Sequence, residues 1–207
     1  MKYKYISDNI ITCENFLPPL ELQKIKIELM NNRVSFGPAV WSSKSNNIGE
    51  TVEFFSSLCG GVDYWIGHGK TKDNNESIMN LTYWFYHQGL FQFIDSNSKV
   101  DVFQFLKKPK IHDIHVVSYN NEGYYNWHTD TANFTFNLIL NEGDEFDGGE
   151  MLFLDGNETI EIPNKNNFMV VFPTYIPHAV KPIKSKNGKD VAFSQQRFSI
   201  QYWTKIG

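Results

Sequence analysis

The sequence predicts a mostly β protein, a sandwich or jelly roll, with helices leading into it. Two observations carry that prediction. Beyond about residue 111, seven or eight short β-branched or aromatic segments follow one another in under 100 residues, separated by Asn, Gly, Asp or Pro. The chain is also unusually aromatic, with 17 Phe, 10 Tyr and 5 Trp among 207 residues, and such side chains suit a pleated, thickly cored sheet. No helical-period stretch lies between those segments, which argues against a βαβ arrangement.

The elements follow in order. "YISDNIITCENFLPP" reads as a short strand closed by a turn at Pro18-Pro19. "LELQKIKIELMNNR" spaces Leu20, Ile25, Leu29 and Met30 roughly as one helix face, with charges between them. Residues 36–75 are rich in Gly, Ser and Asn and are expected to be loop. "ESIMNLTYWFYHQGLFQFIDSNS" has a helical pattern that Gly89 interrupts. Then come the strands "HDIHVVSYN", "TFNLILN", "EMLFLDG", "TIEIP", "NFMVVFP", "HAVKPI" and "RFSIQYW"; Asp155-Gly156 marks a hairpin turn between the third and fourth. The expected organisation is one domain over 1–207, with helical support and loops in 1–110 and the jelly-roll core in 111–207.

Composition narrows the function. The net charge of −4 offers no basic field for a phosphate backbone, so nucleic acid is not an expected partner. No segment approaches the ~18 apolar residues of a membrane span, and "MKYKYISDNIITCENFLPP" lacks the apolar centre of a signal peptide. Two cysteines, Cys13 and Cys59, form neither a disulfide framework nor a zinc site, which suits a reducing, cytoplasmic setting. The Asn-x-Ser/Thr triplets at Asn75, Asn80, Asn133 and Asn157 then reflect an Asn-rich composition rather than glycosylation.

The chemistry concentrates in "YYNWHTDTANF". On a strand, His128 and Asp130 would project from one face. A buried charge must be paired or bound to a metal, so the two are a hydrogen-bonded couple or two ligands awaiting a third. His178, opening "HAVKPI" after a Pro-bounded loop, is the best placed third group among six histidines. His112 and His115 are an odd number apart on one strand and face opposite ways, so one of them could support the site from behind. His68 and His87 have no ligand-like company and are expected to be structural or solvent-facing. Two imidazoles and one carboxylate make the facial set suited to non-haem Fe(II), with coordination positions left open. The acidic run "NEGDEFDGGE" lacks the alternating order of an EF-hand loop and is expected to be a solvated turn, tightened by Gly148-Gly149.

From Tyr119 to Trp203 the chain resembles the 2-oxoglutarate- and Fe(II)-dependent oxygenases, in particular their prolyl 4-hydroxylase-like branch. The blocks that carry the resemblance are "YNNEGYYNWHTD", "LILNEGDEFDGGEMLF", "VVFPTYIPHAVKPI" and "RFSIQYW", in that order. The resemblance implies a double-stranded β-helix (jelly-roll, cupin-like) core. It implies Fe(II), 2-oxoglutarate and O2, with ascorbate in support, and iron held by His128, Asp130 and His178. The far carboxylate of 2-oxoglutarate needs a cation, and a guanidinium matches a carboxylate bidentately. Arg197 is the only arginine in the C-terminal half and fits that role. Ser199, on the same strand face, could add a hydroxyl, and Tyr119 stands where the family has a tyrosine that hydrogen-bonds the cosubstrate. One departure is the spacing: Arg197 lies 19 residues beyond His178, farther than in the family, across the polar insertion "KSKNGKDVAFSQQ". Lys181 or Lys184 could serve instead, but neither precedes the "FSIQYW" strand.

The implied reaction decarboxylates 2-oxoglutarate to succinate and CO2 and hydroxylates an unactivated C–H bond. The resemblance suggests a prolyl residue in a peptide or protein, with loops 36–75 and 184–196 as lids. A free amino acid or other small molecule is the alternative substrate. Asp130 speaks against halogenation. A nucleic-acid demethylase would prefer a second arginine where this chain has "QYW". A binding module or a zinc hydrolase would leave Tyr119 and Arg197 without a purpose.

Overall fold

The computed structural model describes residues 2–33 and 111–205 and, between them, 36–38, 47–48, 50–57, 64–67, 76–79, 81, 84, 89–97 and 101–107. The strands are β1 (Lys2–Ser7), β2 (Ile10–Glu14), β3 (Gly37–Pro38), β4 (Asn47–Ile48), β5 (Glu50–Ser57), β6 (Tyr64–Gly67), β7 (Ile111–Tyr119), β8 (Tyr124–His128), β9 (Phe134–Leu140), β10 (Phe146–Gly148), β11 (Met151–Asp155), β12 (Glu158–Ile162), β13 (Phe168–Pro173), β14 (His178–Val180), β15 (Ile183–Ser185) and β16 (Arg197–Lys205). The helices are α1 (Pro19–Asn31), α2 (Glu76–Met79) and α3 (Leu90–Asn97), followed by a 3-10 segment at Asp101–Lys107.

A nine-stranded antiparallel sheet runs β1-β2-β13-β9-β16-β7-β5-β3, with β6 on β5. A five-stranded sheet, β12-β11-β14-β8-β4, faces it, and β10 pairs with β15. This is the jelly-roll arrangement expected from the sequence. Both faces of the large sheet are covered, so β9 and β13 are buried at every position rather than at alternate ones. Phe134, Phe136, Leu138 and Leu140 of β9 join Ile25 and Leu29 of α1 and Leu90 and Ile94 of α3 on the helix side. The other parity, including Val117, Tyr119, Ile139, Phe168, Val170 and Phe172, packs toward Met151, Phe153 and Val180 of the small sheet. The side chains between the sheets are therefore the odd-numbered residues of β7, β9 and β16 and the even-numbered ones of β13.

The N-terminal half departs from the sequence reading. "YISDNIITCENF" is a hairpin rather than one strand, and β2 extends the large sheet by pairing with β13. Within 36–75, β5 runs eight residues and pairs antiparallel with β7, where loop was expected. The N-terminal half thus adds strands as well as helices to the core. Leu20 of α1 is exposed, whereas Glu28 is buried. The Glu28 carboxylate accepts the backbone N–H groups of Ser77 (2.6 Å) and Ile78 (2.9 Å), satisfying orphan donors of α2. Tyr202 Oη donates to Ile78 O (2.6 Å), tying the same turn to β16. Among the described residues, no helix is long and apolar enough to cross a membrane.

Candidate metal centre

His128 closes β8 and His178 opens β14, and these strands pair so that the two histidines lie directly opposite. Plain alternation would put Tyr125 and His128, three residues apart, on opposite faces. A β-bulge corrects this: Val180 is opposite Tyr125, so Asn126 and Trp127 together face Ala179. Tyr125 and His128 thereby share a face, with their rings stacked at 3.7 Å. Asp130 is not on the strand, as the His–x–Asp reading supposed, but in the turn after it, where its N–H donates to Thr174 O (3.2 Å). The turn, not strand periodicity, brings its carboxylate between the two rings.

The Asp130 carboxylate oxygens lie 3.7 Å from His128 Nε2 and 3.6 Å from His178 Nε2, beyond hydrogen bonding. Each imidazole donates Nδ1–H to the carbonyl two residues before it, Asn126 O at 2.8 Å and Ile176 O at 3.0 Å. That fixes the tautomer and turns the Nε2 lone pair toward Asp130. Both Nε2 atoms are buried and have no hydrogen-bond partner among the described residues. Burial, then the neighbouring His178, pushes the His128 imidazolium down to about 4, so the ring is in its neutral, ligating form near neutral pH. Two lone pairs and a carboxylate converging within 4.8 Å would repel without a cation, and the donor set fits a non-haem Fe(II) ion. Thr135 Oγ1 donates to Asp130 Oδ2 (2.5 Å) and orients that carboxylate. Phe172 meets the His178 ring edge-on at 4.7 Å and Phe153 stacks at 5.9 Å, an apolar wall behind it.

Farther along the same inter-sheet space, Arg197 is wholly buried. Its Nε–H donates to Gly149 O (2.9 Å) and its Nη1 to Ser199 Oγ (2.7 Å), while Nη2 has no partner among the described residues. Cζ stands 5.0 Å from the Tyr119 ring centroid, and the buried Tyr119 hydroxyl also lacks a partner among those residues. No carboxylate forms an ion pair with Arg197 among the described residues. Burial lowers the guanidinium to about 10, which leaves it charged at neutral pH. The site is a buried cation with unused donors, the complement of a carboxylate. Gly149 is required here: its φ is +76°, and a Cβ would stand 3.0 Å from Arg197 Cδ and 2.7 Å from Asn164 Nδ2. Lys181 instead pairs with Glu161 (2.6 Å) and Lys184 is exposed, so neither replaces Arg197.

Residues 114–205 match the family model described as the 2OG-Fe(II) oxygenase superfamily. That family implies Fe(II), 2-oxoglutarate and O2, and His128, Asp130 and His178 could form the iron site. No curated protein matches the chain in sequence. Among solved structures, the fold is similar to a Pseudomonas putida prolyl-4-hydroxylase (TM-score 0.62, 18% identity, 96% of this chain and 93% of that one). It is similar to a Trichoplax adhaerens prolyl hydroxylase in complex with a hypoxia inducible factor oxygen degradation domain peptide fragment (0.62, 16%, 96% and 84%). It is also similar to IDO from Bacillus thuringiensis (0.61, 15%, 96% and 93%). At these identities the likeness establishes the fold.

Sequence reasoning missed Thr135 and Gln201, and read Gly149 as a turn glycine without its contact to Arg197. Thr135 was legible in principle, as a polar residue alternating with the Phe and Leu of "FTFNLIL". His115 is the inward-facing member of its pair, within hydrogen-bonding range of Gln201 (3.3 Å) and tilted against Trp203 at 5.1 Å. Nothing is described of the His112 side chain, and His68 and His87 lie outside the described residues. Segment 184–196 is pinned at several points: Asn120 Oδ1 accepts from Val191 N (2.9 Å) and Asn121 Oδ1 from Ser185 N (2.9 Å).

Proposed function

We propose that this chain is a 2-oxoglutarate-dependent hydroxylase of prolyl residues in a peptide or protein, with succinate and CO2 as coproducts. One observation carries the reading. Two buried, partnerless imidazole nitrogens meet a carboxylate at one point of the inter-sheet space, and a buried arginine with unused donors stands farther along it. A metal-chelating diacid is the ligand that satisfies both ends. His128, Asp130 and His178 hold the Fe(II), with Thr135 fixing the Asp130 rotamer. Arg197, braced by Ser199 and Gly149, binds the far carboxylate, and the Tyr119 hydroxyl donates to the same ligand. Bound Fe(II), with 2-oxoglutarate and O2, supplies the oxidation of the substrate C–H bond. Phe153, Phe172 and Tyr125 exclude water from that chemistry.

The prolyl assignment is supported by the fold shared with prolyl hydroxylases, one of them seen with a peptide. Its test is incubation of the iron-loaded protein with 2-oxoglutarate and proline-containing peptides, read by mass spectrometry. The expected result is a gain of one oxygen on proline that His178→Ala abolishes. Turnover of free amino acids with no peptide oxidised would overturn the substrate assignment and leave the oxygenase standing.

A further inference from the structure

Register lines up the two facing sheets into levels, each about 6–7 Å from the next because same-face residues on a strand are two apart. On the small sheet, Phe153 pairs with His178 and His178 with His128, which is the metal level. One step away, Met151 pairs with Val180 and Val180 with Tyr125. Another step reaches Gly149, whose carbonyl takes the Arg197 Nε–H. On the large sheet, Thr135, which holds Asp130, lies opposite Trp203, then Asn137 opposite Gln201, then Ile139 opposite Ser199, which holds Arg197. A ligand spanning the metal and Arg197 must pass the middle level.

Asn137 occupies that level. It is wholly buried, and its Nδ2 donates across the sandwich to Met151 Sδ (2.8 Å), a weak acceptor. Among the described residues that is the only hydrogen bond of its side chain: Oδ1 has no partner there, and the second Nδ2 proton is unused. A buried amide is costly when its hydrogen bonds are unmade, and a leucine, of the same branched shape, would carry no such cost. The amide is therefore explained by a ligand that brings polar atoms to this level. The methylene carbons of a five-carbon oxo-diacid carry none, whereas its keto-acid end does.

Resting on the proposed function, we infer that Asn137 is a positioning residue for the cosubstrate: its amide N–H donates to an oxygen of the 2-oxo-carboxylate end and orients it above the large sheet.

The test uses the full chain loaded with Fe(II) under anaerobic conditions. 2-Oxoglutarate is titrated and followed by its visible charge-transfer band in wild type, Asn137→Leu and Asn137→Asp, and the melting temperature of each ligand-free protein is measured. In Asn137→Leu the affinity is expected to fall about tenfold, as for one hydrogen bond to a charged oxygen. The band is expected to shift, and the ligand-free melting temperature to hold or rise. Asn137→Asp, which cannot donate and adds a like charge, is expected to bind more weakly still. Wild-type affinity and band position in Asn137→Leu would overturn the inference, as would a fall in melting temperature matched by an equal affinity loss in both variants. Absence of the band in the wild type would overturn the cosubstrate reading itself, and the inference with it.

Discussion

The two ends of the inter-sheet space are built differently. At the metal end, each imidazole is aimed by the carbonyl two residues before it, and Asp130 by Thr135 five residues on, so the geometry is local. At the arginine end, Arg197 is held by Gly149, 48 residues earlier, and packs on Tyr119, its partner across the β7–β16 ladder. The metal end survives as a motif a reader can find in a line of sequence. The arginine end exists only once the sheets are in register.

That contrast breaks most sharply when a ligand is removed from each end in turn. His128→Ala, Asp130→Ala or His178→Ala should abolish both turnover and the anaerobic charge-transfer band, leaving the fold intact by circular dichroism. Arg197→Met should leave iron binding unchanged but lose two hydrogen bonds to a charged ligand. At about 1.5–3 kcal/mol each, that is about 10²–10⁴-fold in 2-oxoglutarate affinity. Because Arg197 is a buried cation with no carboxylate paired to it among the described residues, the ligand-free variant should melt no lower than wild type. A wild-type cosubstrate titration in Arg197→Met would refute the anchor.

The same contrast explains what the sequence revealed. The strands after residue 111 were legible because each is short, apolar and bounded by turn residues. The cluster of His128, Asp130 and His178 was legible because a short motif at the end of β8 and the first residue of β14 supply it. β5 was not legible: "ETVEFFSS" lies in a Gly-, Ser- and Asn-rich region, and its pairing depends on the edge that β7 offers, a tertiary fact. The hairpin β1–β2 was missed because the turn signal Asp8-Asn9 was read as part of one strand. The burial of Glu28 was not legible, since a charge on a helix ordinarily faces solvent, while here its partners are backbone donors 49 and 50 residues away.

A subtler effect is expected where the metal end leans on its second layer. Thr135→Val removes the hydroxyl that donates to Asp130 and keeps the side-chain shape. Loss of such a partner costs about 10–100-fold in metal affinity. The variant should therefore need more Fe(II) for half-maximal band intensity, recover full intensity at saturating iron, and show an unchanged 2-oxoglutarate titration. A weaker cosubstrate affinity at saturating iron would mean that the two ends are not independent.

The smallest expected effect is on stability. His115 is buried, and burial lowers its pKa from 6.5 to about 4, against the hydrogen bond to Gln201 and the Asp130 charge. Above about pH 6.5 the ring is neutral folded or unfolded and contributes no slope. Between 6.5 and 4 the unfolded chain takes up a proton that the folded one refuses, so stability falls as pH falls, by up to about 1.4 kcal/mol per pH unit for one such group. His115→Gln, which keeps a polar group beside Gln201 and does not titrate, should flatten that part of the curve. Urea denaturation of the metal-free protein from pH 7 to 5 measures it. An equal slope in both proteins would show that the neutral imidazole is not what burial at this level of the sheet favours.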